Sequence, residues 1–302
     1  MAHARHKVVG LGELLWDLLP TGKQLGGAPA NFAYITSLLG DEGIPASRLG
    51  RDDLGNEAIR RLTQLGLSGG FIQTDATHPT GRVNVELDSA GQPRFEICES
   101  VAWDFLEWTP QWQKLATETD AVCFGSLAQR SAQSRSTIRS FLQATRRDAV
   151  RVFDVNLRQN FFTAEVLADS MKLATIVKLN HEELPRIMQG FEVEHHREES
   201  SARRLIEMYG LKLVCITRGN GGSVLATPDD CSRHAGFRVK VADTIGAGDA
   251  FTAALVHEYL RGASLERMSE VANRVGAWVA SEVGATPIVK PEALKLLLDK
   301  VG

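Results

Sequence analysis

The sequence has little cysteine, few aromatic residues, no long apolar run and no excess of one charge. Its four cysteines, Cys98, Cys123, Cys215 and Cys231, are scattered through 302 residues. No two stand at metal-ligand spacing and three lie in or beside apolar strand-like runs, so reduced, mostly buried thiols and a cytoplasmic setting are expected. Lysine and arginine number 34 against 37 acidic residues, a formal charge of −3, and both signs are dispersed. That balance offers no basic stripe for nucleic acid and no polybasic anchor for a membrane. No apolar run reaches the length of a bilayer span, and residues 1–7 lead into a strand-like run without the apolar core of a signal peptide. Two phosphate-handling motifs are missing as well. There is no Gly-x-x-x-x-Gly-Lys-Ser/Thr loop, and no strand is followed at once by Gly-x-Gly-x-x-Gly, which argues against P-loop and dinucleotide folds.

What remains is a globular composition, 43% hydrophobic and 24% charged, on a chain long enough for one large α/β domain or two ordinary ones. The most informative stretch is Asp243-Thr244-Ile245-Gly246-Ala247-Gly248-Asp249. A β-branched run at 237–241 enters it and a periodic apolar run leaves it, which predicts a strand, a glycine turn and a helix start. The N–H groups of Gly246, Ala247, Gly248 and Asp249 then converge at the positive end of the helix, where they can hold a phosphate. Asp249 could take a proton from a hydroxyl attacking that phosphate; the plainer alternative is a capping residue above a tight turn.

A first strand is expected over residues 7–15, with Asp17 at its exit. A glycine turn at Gly26 and Gly27 then opens a helix running to about residue 39, with Pro29 in its first turn. Asn31 in that turn either hydrogen-bonds a ligand hydroxyl or is an ordinary first-turn polar residue. A strand at 44–49 and a helix at 53–65 follow. Residues 82–87 and 94–98 alternate polar with apolar around a turn at 89–92, a hairpin with one apolar face. Such a hairpin is marginal alone, so it must pack on the main domain, on strands near 17–25, or on another subunit.

Beyond Trp103 the pattern predicts strands at 121–124, 150–155, 175–179 and 212–217, alternating with helices at 131–145, 163–172, 181–189 and 199–209. A last helix spans 265 to about 281. The alternation implies a doubly wound, mostly parallel sheet with ligands at the carboxyl ends of its strands. Three clusters rich in polar residues close such strands, one each at 154–158, 179–183 and 217–222. His195 and His196 lie in a charged run and carry no expected chemistry.

The heptapeptide 243–249 closely resembles the second signature of the ribokinase (PfkB-type) carbohydrate kinases. Gly26-Gly27 with Asn31 resembles their first signature, and Gly12-Glu13 with Asp17 and Pro20 resembles the start of the fructokinase members. The resemblance covers nearly the whole chain. It implies a single ribokinase-like α/β domain over 1–302 with a small β-sheet lid, formed by segments about 14–25 and 80–106, through which a homodimer is expected. The implied reaction is ATP-dependent phosphorylation of a sugar's primary hydroxyl, with D-fructose giving fructose 6-phosphate. The alternatives are a 2-keto-3-deoxygluconate kinase, a ribokinase, or a catalytically silent sugar- or nucleotide-binding regulator.

Carried over residue by residue, the resemblance makes Asp249 the base, with the Gly246, Ala247 and Gly248 amides as the anion hole. Asp17, Gly27, Asn31, Phe95 and Arg158 fall on the sugar side, although Arg158 could instead pair with Asp154. Asn180, Thr217, Gly219, Gly222, Gly246, Gly248 and Asn273 fall on the nucleotide side. Glu183 is implied to position Mg2+ through water. Asp243, Ile245 and Gly284 are implied to supply a monovalent cation such as K+, which some members use.

Overall fold

The computed structural model describes residues 5–19, 22–87, 93–193 and 197–289, the side chains at 85–87 and 93–95 excepted. The expected turn at 89–92, Pro20, His195, His196 and the side chain of Phe95 therefore lie outside the described residues.

The chain begins with β1 (Lys7–Leu11), β2 (Leu15–Leu19) and β3 (Gly22–Gly26), followed by α1 (Ala28–Leu38), β4 (Glu42–Gly50), α2 (Asp53–Gln64) and β5 (Ile72–Asp75). The hairpin strands β6 (Gly81–Leu87) and β7 (Pro93–Ile97) come next. Then the repeating units run α3 (Pro110–Glu118), β8 (Ala121–Gly125), α4 (Ala132–Ala144), β9 (Val150–Asp154), α5 (Ala164–Leu173), β10 (Ile176–Asn180), α6 (Glu183–Gly190), α7 (Glu198–Tyr209) and β11 (Leu213–Thr217). The chain closes with β12 (Ser223–Ala226), β13 (Cys231–His234), α8 (Ala247–Leu260) and α9 (Leu265–Ala280).

A nine-stranded sheet carries the order β13-β12-β11-β10-β9-β8-β1-β4-β5, parallel except where β12 and β13 turn back antiparallel at one edge. Successive residues of its strands point to opposite faces, and the core divides accordingly. Val9, Val122, Phe124, Phe153 and Val177 pack with α3 to α7 on one face. Val8, Cys123, Val152, Ile176 and Cys215 pack with α1, α2, α8 and α9 on the other. Burial on both faces is why these strands read as continuous apolar runs. Helix starts are fixed locally: Asp52 accepts the Gly55 N–H at 2.7 Å, and Thr163 accepts that of Val166 at 3.2 Å, each satisfying a donor the helix itself leaves free.

Two expectations are corrected. Residues 7–15 form two strands, not one, because the backbone breaks at Gly12, whose φ is +148°, a value that favours glycine. There β1 stays in the large sheet and β2 starts a second, four-stranded one of order β3-β2-β6-β7. The hairpin packs on the main domain through this sheet, with Leu15 to Leu18 parallel to Gly81 to Asn84 and Val83 and Ile97 turned inward. The second correction concerns 237–241, which forms no strand. Val239 and Val241 are exposed, and the edge position is taken by β13, whose Cys231 to His234 pair with Ala226 to Ser223.

No helix among the described residues is long and apolar enough to cross a membrane.

Candidate active site

The carboxyl ends of β8, β9 and β10, the amino ends of α1 and α8, and the small sheet enclose one cavity of about 480 Å³. Glu13, Asp17, Gly27, Asn31, Asn156, Arg158, Lys178, Gly246, Gly248 and Asp249 all line it. Residues more than two hundred positions apart in the chain thus meet because two helices aim their first turns at the same volume.

Asp249 sits in the first turn of α8, behind Gly246 at φ +76°. The left-handed backbone at Gly246 turns the chain sharply into the helix, and a Cβ there would lie 2.4 Å from that of Ala285. The N–H groups of Gly246, Gly248 and Asp249 donate to no protein atom among the described residues. That of Ala247 donates to the Thr244 carbonyl at 3.3 Å, so the cradle presents three of the four expected amides. Gly248 faces the cavity with almost no cover on one side, and its nearest neighbour there is the Lys178 ammonium.

The Asp249 carboxylate accepts the Asn31 side-chain amide at 2.9 Å. Burial, then the charge of Asp154, raises its pKa to about 6, against the lowering effect of Asn31, Lys178 and Arg158. Asp17 on β2 is likewise pushed up to about 6 by burial, opposed by Arg158. Glu13, 4% exposed, is raised to about 7 by burial and by Asp249, with Arg158 again opposing. Its Oε2 has no hydrogen-bond partner. Three carboxyl groups and one guanidinium therefore share a wall. A base poised near neutrality beside free helix amides suits proton abstraction next to an anion.

Arg158 does not pair with Asp154. Its Nη1 donates to the Leu157 carbonyl at 3.2 Å and the residue lines the cavity, whereas Asp154 receives both contacts of Lys178, each 3.1 Å. Between them Asn156 adopts a left-handed φ of +41°, a conformation asparagine tolerates better than most residues.

Ile245 lines the cavity too, and the other expected residues fall outside its lining. Both Glu183 oxygens accept backbone N–H groups, from Leu157 at 2.7 Å and Asn180 at 2.8 Å. It thereby braces the two loops that close β9 and β10. The Asn180 side-chain oxygen Oδ1 accepts the Glu182 and Glu183 backbone amides at 2.9 and 2.8 Å, starting α6. Thr217 closes β11 beside the Leu179 carbonyl. Gly219 begins the turn between β11 and β12, and Gly222 is forced to lack a side chain because a Cβ would lie 2.0 Å from the His234 carbonyl. Asn273 is buried on α9, its Nδ2 donating to Ser223 Oγ and the Ser269 carbonyl at 2.7 Å each. Asp243 gathers its neighbours, accepting the N–H of Ile245 at 3.0 Å and of Gly284 at 3.2 Å. Among the described residues no group of three or more histidine, cysteine or acidic side chains is placed to hold a metal ion.

Lys178 was not picked out from the sequence, and Glu13 was named only within the amino-terminal resemblance, without a role. In both cases the signal is a charged residue inside an otherwise apolar run, Leu11-Gly12-Glu13-Leu14 and Val177-Lys178-Leu179.

Comparison with known proteins places the chain among sugar kinases. A sugar kinase of Pyrococcus horikoshii is 32% identical over 310 residues, covering 95% of this chain and 94% of that protein. Its crystal structure in complex with ATP, described as that of an uncharacterized sugar kinase, superposes with a TM-score of 0.81 over 95% of this chain and 96% of that one. The fructokinase of Escherichia coli is 31% identical over 303 residues, covering 92% of this chain and 94% of its own. Residues 18–292 match the pfkB family of carbohydrate kinases, and the chain belongs to that family.

Proposed function

We propose that the chain transfers the γ-phosphoryl group of ATP to the primary hydroxyl of a sugar, with D-fructose the preferred acceptor. The observation that carries this reading is the carboxylate of Asp249, held by Asn31 and set among free amides of α8 on the wall of the cavity. The fructokinase relative and the ATP-bound neighbour support the choice of acceptor and donor.

In this reading the sugar lies between Asp17, Gly27 and Asn31, under the small sheet. Its primary hydroxyl oxygen attacks the γ-phosphorus while the bond to the β-phosphate oxygen breaks, and ADP leaves with the bonding pair. The hydroxyl proton passes to Asp249. The transition state is loose, so most of the acceleration comes from positioning and charge stabilisation by the Gly246, Gly248 and Asp249 amides, with Arg158 above them. Closing the small sheet over the sugar excludes water. Mg2+ carried in with the nucleotide would neutralise part of the phosphate charge. Glu183 has both oxygens on backbone amides and would hold such an ion only through water.

A coupled ADP-release assay against fructose, ribose, glucose, 2-keto-3-deoxygluconate and adenosine tests the reading. Fructose is expected to give the highest kcat/KM. Preference for the keto acid or for ribose would reassign the acceptor, and stimulation by none would mark a silent binding protein.

A further inference from the structure

Lys178 occupies the third position of β10, where its neighbours Ile176 and Val177 below and Leu179 above are fully buried. A lysine in such a strand is unusual, because burying an ammonium is costly unless its charge is met. Here it is met on one side only. Nζ donates to both oxygens of Asp154 at 3.1 Å, and among the described residues it has no other hydrogen-bond partner. Asp154 in turn accepts the Thr252 hydroxyl at 3.0 Å. That hydroxyl also stands 2.9 Å from the Gly248 carbonyl, so the pair is fastened to the first turn of α8.

An ammonium carries three N–H donors, and Asp154 takes two. The third direction is open. Lys178 lines the cavity with Gly246 and Gly248, and a Cβ built on Gly248 would lie 3.1 Å from Nζ. The absence of a side chain at 248 is what leaves the ammonium facing the free amides. Burial weakens its charge, but Asp154, Glu183 and Asp249 outweigh that effect and keep it protonated.

We propose that Lys178 is a catalytic residue: its unpaired N–H donates to a non-bridging oxygen of the phosphoryl group as that group passes from ATP to the sugar. That oxygen carries a share of the charge spread over the three equatorial oxygens of the loose transition state, while the P–O bond to ADP breaks and the bond to the sugar oxygen forms; the lysine proton stays on Nζ throughout. Asp154 is the positioning residue, holding the ammonium at the height of Gly248. This proposal rests on the kinase reading above, and extends it by a cation that belongs to the protein.

Replacing Lys178 alone leaves Asp154 buried and unpaired, which endangers the fold. The informative variant is therefore the neutral double substitution Lys178→Met with Asp154→Asn. It is expected to melt cooperatively, to bind ATP and sugar within about threefold of the wild type, and to lose roughly 100-fold in kcat, the scale of removing one preorganised donor from an anion hole. In Lys178→Ala, added methylammonium is expected to restore part of the lost turnover, a readout that a purely structural lysine would not give. A double variant with kcat within about threefold of the wild type overturns the proposal while the kinase reading stands. A wild-type chain that phosphorylates no sugar in the panel overturns both.

Discussion

The side-chain amide of Asn31 donates to the carboxylate of Asp249 at 2.9 Å, across 218 positions of sequence. One contact thus joins the first turn of α1 to the first turn of α8. It also fixes which Asp249 oxygen is spent on the protein and which is left for a ligand.

Asp249→Asn is expected to keep the fold and the binding of sugar and nucleotide, and to lose at least about two decades of kcat, the contribution of a positioned general base. Steady-state ADP release with calorimetric binding separates the two. Turnover near that of the wild type would remove Asp249 from the mechanism.

The acid limb of the kcat/KM profile should follow the same residue. Its pKa is raised to about 6 and a base works only when ionised, so activity is lost as pH falls through about 6. The Asn31 hydrogen bond lowers that pKa. Asn31→Ala therefore moves the acid limb to higher pH. A limb that stays in place, or moves to lower pH, contradicts the assignment.

Glu13 should cost stability. Its folded pKa of about 7 stands above the ordinary 4.5, so between those values the folded chain binds more protons than the unfolded one. Stability from this group is then present at low pH and falls as pH rises through that window. Glu13→Gln is expected to gain up to ~3 kcal/mol at pH 8 relative to the wild type, and little at pH 4. Urea melts at the two pH values would show it; an equal gain at both would mean that ionisation is not the cause.

Gly246→Ala should fail twice. A Cβ meets Ala285 at 2.4 Å, and φ is +76°. The strained backbone costs on the order of 1–3 kcal/mol, and moving the loop displaces the amides. A melting temperature and kcat both at wild-type levels would show that the loop tolerates a side chain.

How far the sequence disclosed all this depends on whether a feature was local. The run 243–249 announces itself, since glycines before a periodic apolar helix have few uses, and the buried parallel strands at 121–124 and 150–155 declare themselves by unbroken apolar character. Features decided at long range stayed hidden. The chain breaks at Gly12 because β2 is recruited by the distant β6. The strand β5, Ile72-Gln73-Thr74-Asp75, is too polar to read as a strand and owes its existence to pairing with β4. Residues 237–241 have the composition of a strand but no partner. The pairing of Asp154 with Lys178, not with the nearer Arg158, is settled only when β9 and β10 lie side by side. Asn273 stands out inside a helix, and one partner of its Nδ2, Ser223, is supplied by the distant β12.

The break at Gly12 has a mechanical side. The chain leaves the large sheet there, runs out and back as β2 and β3 carrying Asp17, and returns at Gly27 directly into the helix that bears Asn31. Roof and floor are thus one continuous ribbon, bent at two glycines of positive φ, Gly12 and Gly27. The strand that carries Asp17 and the turn that grips Asp249 are neighbours along one stretch of chain, so the cover and the base are built from the same segment.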